Sequence, residues 1–295
     1  MEKKLINNKK IIVWDLFGGG QNSVFNSLEK NKYEILTFDV VEPTRKNHFK
    51  IDLSQKNIID IFKQFPKPDI IVSSPLCQSF SCVLNFKGGG TSFWKLNKNK
   101  TKLIQRTKKE FEELKSGFTK NLKADVQLFI KKLGKNCIDN VIDLIKFYKP
   151  KFFYIENPKS SLIWKYIKLN RKDFFNEELH FLNECSLGKY GFITTKPTIF
   201  LSNIKMELLT GRIEPPYFKK KINGIEYLVL KIDENIKAPV SWNGKLLGLS
   251  TISKTTGIKN PIQKNKKQNN QICESGPSSK IPKELIIKIF NYFGI

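Results

Sequence analysis

The chain has 295 residues, 40% of them hydrophobic and 12% aromatic, which places it among globular proteins with a real core and argues against a disordered or fibrous chain. A formal charge of +25 draws such a chain toward a polyanion, with nucleic acid the natural partner; an A+T-rich coding sequence, heavy in Lys, Asn and Ile with arginine only at Arg45, Arg106, Arg171 and Arg212, gives the same charge without one. The five cysteines are scattered, with no C-x-x-C pair and no nearby His, which argues against a disulfide framework or a zinc site.

Ile11-Ile12-Val13-Trp14-Asp15-Leu16-Phe17 reads as a buried first strand, broken by Gly18-Gly19-Gly20 and followed by a helix over residues 22–30. Tyr33-Glu34-Ile35-Leu36-Thr37-Phe38-Asp39 is a second strand ending in an acid, and a short extended piece, Phe49-Lys50-Ile51, leads to Asp52. Residues 58–65 look helical. Pro68-Asp69-Ile70-Ile71-Val72-Ser73-Ser74 is a fourth strand that runs straight into Pro75-Leu76-Cys77-Gln78. Residues 84–124 are polar, lysine-rich and interrupted by Gly88-Gly89-Gly90, which predicts a mobile, lid-like loop and then a helix rather than sheet. Apolar spacing predicts a helix over 126–148, and Lys151-Phe152-Phe153-Tyr154-Ile155-Glu156-Asn157-Pro158 is a fifth strand stopped by proline. Beyond Glu184 the segments shorten and become β-like, and residues 208–270, rich in Gly, Pro, Lys and Asn, form a small second lobe. A last helix spans 283–293, with Pro282 acceptable at its start.

Strands alternating with helices predict an α/β fold with a mainly parallel, Rossmann-like sheet. The expected division is a first domain over 1–204, a small irregular or β lobe over 205–272, and a C-terminal helix over 273–295 returning to the first domain. No apolar run reaches membrane-spanning length, no secretory leader opens the chain, and no basic amphipathic helix stands out. A soluble cytoplasmic protein without a membrane partner is expected.

An acid ending a first strand, followed at once by a glycine cluster, is the usual place for a nucleotide-like cofactor, because glycine lets a ligand approach the backbone. Asp15 with Gly18 and Gly20 meets that description; a tight turn without a ligand is the plainer alternative. Asp39 is placed to accept ribose hydroxyls and Asp52 an adenine amino group, and either is equally a solvated strand-end acid. Three acids ending three successive strands nevertheless line one sheet edge, the edge where such folds bind ligands.

The string Ser74-Pro75-Leu76-Cys77-Gln78-Ser79-Phe80-Ser81 resembles the nucleophile motif of the DNA cytosine-5 methyltransferases, usually Pro-Pro-Cys-Gln-x-Phe-Ser. Asp15-Leu16-Phe17-Gly18-Gly19-Gly20 is similar to that family's Asp-Leu-Phe-x-Gly-x-Gly cofactor motif, and Ile155-Glu156-Asn157-Pro158 resembles its Glu-Asn-Val motif in the Glu-Asn-Pro form of phage-type members. Those members are similar again over Tyr190-Gly191, Lys196-Pro197-Thr198-Ile199-Phe200 and Ser279-Lys280-Ile281-Pro282-Lys283-Glu284-Leu285-Ile286. The resemblance follows the family's order from near the start of the chain to near its end.

It implies a Rossmann-like methyltransferase domain and a small target-recognition lobe, using S-adenosyl-L-methionine and releasing S-adenosyl-L-homocysteine. Cys77 and Glu156 are the implied catalytic residues, with Gln78 and Lys196 beside them; Asp15, Phe17, Gly18, Gly20, Asp39, Asp52, Pro75 and Ser279 are the implied cofactor contacts. The implied substrate is double-stranded DNA, whose cytosine is flipped out of the helix, and the implied setting is a monomer of bacterial or phage-infected cells, with a cognate restriction endonuclease as a possible companion. The chemistry needs such residues. Carbon 5 of cytosine is a poor nucleophile until a thiolate adds at carbon 6, and a carboxyl group at N3 stabilises the charge that addition creates.

The sequence departs from the family in three places. Leu76 stands where most members have proline. Thr194-Thr195-Lys196-Pro197-Thr198 corresponds to the family's Gln-x-Arg-x-Arg motif, leaving Lys196 as a single charge without the fork of arginine. The recognition lobe is small, which implies a short or relaxed target. An RNA cytosine-5 methyltransferase and a catalytically inactive DNA-binding relative are the competing readings; an amino-group methyltransferase lacks its Asn/Asp-Pro-Pro-aromatic string here.

Overall fold

The computed structural model describes residues 9–81, 94–114, 123–192, 195–212 and 280–294, and the backbone of three further strands within 217–241. In chain order these residues form β1 (Ile11–Leu16), α1 (Ser23–Ser27), β2 (Tyr33–Asp39), β3 (His48–Lys50), α2 (Ile58–Phe62), β4 (Ile70–Ser73), β5 (Trp94–Leu96), β6 (Leu103–Gln105), α3 (Lys108–Leu114) and α4 (Ala124–Tyr148). There follow β7 (Phe152–Pro158), α5 (Ile163–Asn170), β8 (Phe181–Ser186), β9 (Pro197–Ser202), β10 (Tyr217–Ile222), β11 (Ile225–Lys231), β12 (Lys237–Ser241) and α6 (Lys283–Tyr292).

Seven strands make one sheet in the order β3-β2-β1-β4-β7-β9-β8. The first five are parallel and β9 runs against both of its neighbours, so the domain is a Rossmann-like α/β fold with a mainly parallel sheet. The strand order reverses between β1 and β4, and in open α/β sheets a crevice forms at such a reversal, outside the carboxyl ends of the strands. In β1 that end is Asp15 and Leu16; in β4 it is Ser73.

Period-2 alternation builds a core on each face of the sheet. Trp14, Leu16, Leu36, Phe38, Ile71, Phe153 and Ile155 face one way, under α2, α4 and α5. Val13, Ile35, Ile70, Val72 and Tyr154 face the other, under α1 and α6. Trp14 is fully buried, its ring 4.9 Å from Phe62 and 4.7 Å from Tyr148, and burial of a side chain of this size contributes about 1.5–3 kcal/mol. On the other face α6 seals the core: Phe290 packs edge-on to Tyr33 and Phe293 stacks on Phe152.

Residues 84–124 contain sheet, against expectation. Strands β5 and β6 form an antiparallel hairpin, rooted where the indole of Trp94 donates to the Ser79 carbonyl at 2.8 Å and stacks on Phe80 at 5.0 Å. Asn97 closes its turn by accepting the N–H groups of Thr101 and Lys102, and Asn170 clasps Leu103 through both backbone groups. Helix α1 is shorter than expected because Leu28 turns extended, and α2 ends at Phe62 rather than 65. Helix α5 has no counterpart in the reading of the sequence. Strands β10, β11 and β12 pair antiparallel in a separate sheet within the segment expected to form the small lobe; residues 242–279, including Ser279, and residues 82–93, which hold the first part of the expected lid, lie outside the described residues. No described helix is long and apolar enough to cross a membrane.

Candidate active site

The glycine turn after β1 is held from below. A side-chain carbon on Gly18 would lie 2.0 Å from the Asp15 carboxylate, and one on Gly19 would lie 2.7 Å from His48 Nε2 and 2.8 Å from Asp39. Neither position has room for more than hydrogen. Phe17, between Asp15 and this turn, adopts φ 68°, a left-handed conformation rare for a bulky residue and typical of sites where structure holds strain in place. Asp39 accepts the Gly19 N–H at 3.0 Å and the Val40 N–H at 2.7 Å, so this acid grips the turn as well as facing the edge. Asp52 is half-buried beyond β3 and accepts the Ser54 N–H at 2.9 Å.

Asp15 is 4% exposed and its Oδ2 has no hydrogen-bond partner. Burial pushes its carboxyl up to about 7, with Arg45 opposing and Asp39 adding to the shift. Asp15, Phe17 and Gly18 line a small cavity together with Gln21, Ser23, Val24, Ser74 and Ile281. It lies at the reversal point between β1 and β4. Ile281 is brought there from the far end of the chain, its N–H donating to Ser23 Oγ at 3.2 Å.

Beyond β4 the chain enters a 3-10 turn, Cys77–Phe80. Cys77 and Gln78 are exposed, whereas Ser79 and Phe80 are buried and anchor the turn. Ser79 Oγ donates to the Ile130 carbonyl of α4 at 2.7 Å, and α4 comes this close only because Gly134 faces Ser79; a Cβ there would lie 2.0 Å from Ser79 Oγ. Of the described cysteines, Cys77 alone is exposed. Burial pushes the thiols of Cys137 and Cys185 up to about 12, which leaves them protonated and inert.

Glu156 reaches the same edge from β7. Its neighbour Ile155 pairs with Ser73 in the sheet, and Ser74 hydrogen-bonds the Glu156 carboxylate. One residue further, Asn157 Nδ2 donates to the Pro75 carbonyl at 2.9 Å, tying β7 to the segment that delivers Cys77. Glu156 is 7% exposed and its Oε1 has no partner; burial raises its pKa, against the pull of Lys196 and Ser74. Lys196, at φ 33° just before β9, is the cation that faces this carboxyl.

The structure thus gathers Asp15, Phe17, Gly18 and Ser74 round one cavity, and ties Glu156 and Pro75 into the adjoining edge. Gly20 lies in the same turn, exposed. Sequence reasoning did not single out Gln21, Asn22, Ser23 or Arg45 as site residues, since nothing in their local pattern marks them, and it took Ser74 only as the first residue of the Cys77 string. Among the described residues, no group of three or more His, Cys, Asp or Glu side chains is arranged to hold a metal ion.

No protein-family model and no curated protein matches the chain. Among solved structures it is similar to a protein of an Escherichia coli prophage described as a DNA modification methyltransferase, with 16% identity and a TM-score of 0.39 over 70% of this chain and 52% of that one. It is also similar to the Entamoeba histolytica methyltransferase EhMeth, with 16% identity and a TM-score of 0.39 over 71% of this chain and 58% of the other. The chain spans little more than half the length of either.

Proposed function

We propose that this chain is an S-adenosyl-L-methionine-dependent DNA methyltransferase acting on carbon 5 of cytosine, with Cys77 as nucleophile and Glu156 as its acidic partner. The observation that carries the reading is the pair of ties between β4 and β7, from Ser74 to Glu156 and from Asn157 to Pro75. They tie the segment that leads to the exposed Cys77 to the strand that carries the buried Glu156, beside a cavity lined by Asp15.

The cavity suits the cofactor. A buried carboxylate oxygen without a partner costs free energy unless a ligand completes it, and S-adenosyl-L-methionine carries an ammonium group that would do so at Asp15. Phe17 and Gly18 would line its path, with Asp39 and Asp52 on the neighbouring strand ends. When bound, the cofactor supplies an electrophilic methyl group on a sulfonium.

Cys77 adds as a thiolate to carbon 6 of the flipped cytosine, and electron density moves to carbon 5 and toward N3. Glu156, whose pKa is raised by burial, donates its proton to N3 and neutralises that charge. Lys196 holds the Glu156 carboxyl in place once its proton has gone. After methylation a base removes the carbon 5 proton, the electron pair expels Cys77, and Glu156 recovers its proton. The order of these steps uses both residues twice.

The test is covalent capture. A duplex carrying 5-fluorocytosine in place of cytosine, incubated with S-adenosyl-L-methionine, is expected to form a denaturation-resistant adduct with the wild-type protein and none with Cys77→Ala. Absence of adduct on mixed-sequence duplex, from folded protein that binds S-adenosyl-L-homocysteine, would favour an inactive DNA-binding protein; an adduct on structured RNA alone would move the substrate to RNA.

A further inference from the structure

Arg45 belongs to none of the motifs, yet it links the glycine turn, through Asn22, to β2, through Thr37. Its guanidinium lies 3.7 Å from the centre of the Phe25 ring, one Nη donating to Asn22 Oδ1 and the other to Thr37 Oγ1. Asn22, at φ 51°, in turn donates its side-chain N–H to the Gly19 carbonyl at 3.1 Å and its backbone N–H to the Gly18 carbonyl at 2.8 Å. Thr37 is the sheet partner of Asp15, so paired residues of adjacent parallel strands put the guanidinium and the Asp15 carboxylate on one face. Arg45 itself is set by the link to β3, where its carbonyl accepts the His48 N–H at 3.1 Å.

We propose that Arg45 is a positioning residue for the cofactor: it locks the glycine turn through Asn22 and supplies the countercharge that keeps the Asp15 carboxylate ready for the cofactor's ammonium group. This rests on the cofactor reading above. The two jobs separate chemically. Locking the turn needs the planar fork, because Asn22 and Thr37 are engaged by different nitrogens; balancing Asp15 needs only the charge. The other ionisable groups around this pair are Asp39 from β2, His48 from β3, Lys30 after α1, and Tyr154 from β7, which in turn faces Glu156. None but Arg45 pulls the Asp15 pKa down.

The experiment is calorimetric titration of the full chain with S-adenosyl-L-homocysteine, from pH 5.5 to 8.5, on wild type, Arg45→Gln and Arg45→Lys, each checked for folding by thermal melting. Wild-type affinity is expected to fall as pH drops through about 7, where Asp15 takes up a proton. Arg45→Gln is expected to bind about tenfold more weakly at pH 8 and to move the acid limb up by about one pH unit, since loss of the positive charge raises the Asp15 pKa. Arg45→Lys is expected to weaken binding while keeping the wild-type midpoint. Equal affinity in all three proteins, or a loss in Arg45→Gln that is the same at every pH, overturns the proposal; should Arg45→Gln not fold, wild-type affinity in Arg45→Lys overturns it alone. A wild type that binds no S-adenosyl-L-homocysteine overturns the cofactor reading and this proposal together, an outcome distinct from all the others.

Discussion

Glu156 and Asp15 are buried carboxyls with one oxygen unmatched each, but they stand in different company. Lys196 and Ser74 face Glu156 and soften the effect of burial, whereas Asp15 has Arg45 on one side and Asp39 on the other. In the proposed reaction the protonated form of Glu156 is the working one, so methyl transfer should fall as pH rises through its raised pKa. Glu156→Gln keeps the shape and loses the transferable proton: a drop of about 10²–10⁴-fold in the rate of labelled methyl transfer is expected, with the alkaline limb flattened and S-adenosyl-L-homocysteine affinity unchanged. A variant as fast as wild type would remove Glu156 from the chemistry. These two acids were legible in the sequence because each sits inside a contiguous string, Asp15 before three glycines and Glu156 before Asn157-Pro158. Arg45 was not, because its partners Asn22 and Thr37 lie 23 and 8 residues away and only the fold brings them together.

The turn that carries Cys77 is short, and its position depends on the helix behind it. Residues of a 3-10 turn bury little on their own; here Ser79 and Phe80 are clamped between α4, Trp94 of the β5–β6 hairpin and Tyr166 of α5. Gly134 is the closest point of that clamp, and its hypothetical Cβ meets both Oγ and Cβ of Ser79, at 2.0 and 2.2 Å. Gly134→Ala should therefore push α4 off the turn, costing about 1–3 kcal/mol by overpacking and slowing adduct formation at Cys77. Ser79→Gly removes both atoms, so the double variant should recover part of the stability lost in Gly134→Ala, read from denaturant unfolding as a coupling energy. Additive losses would show that the contact does not set the spacing. The five parallel strands were readable within a residue or two because their apolar runs are largely buried, whereas β8 and β9 were foreseen only as β-like segments without bounds. The hairpin was not: its strands are three residues each, its turn is lysine-rich, and what orders it are contacts from Ser79, Phe80 and Asn170, distant in sequence.

Across the whole molecule, a site that waits for a cation with a buried carboxylate is bound to weigh on stability. Asp15 has a folded-state pKa of about 7 against an ordinary value of 3.8, so the folded chain holds this proton more tightly than the unfolded one. The stability this group contributes is then fully present below about pH 4 and is lost as pH rises through 7, a change on the order of 2–4 kcal/mol over that window. Asp15→Asn keeps the shape of the side chain and removes its charge. The variant is expected to unfold at a higher temperature than wild type at pH 8, with the gap closing toward pH 4, because only the wild type carries the buried charge at the upper end. Added S-adenosyl-L-homocysteine should reverse the ranking, since a ligand that binds only the folded state raises its stability and the variant lacks the carboxylate that would hold the ammonium group. Thermal melts of both proteins, with and without ligand at pH 4 and 8, decide the matter: a variant less stable than wild type at pH 8 without ligand would mean that Asp15 is already satisfied by the fold, and that the cavity above it is not waiting for a cation.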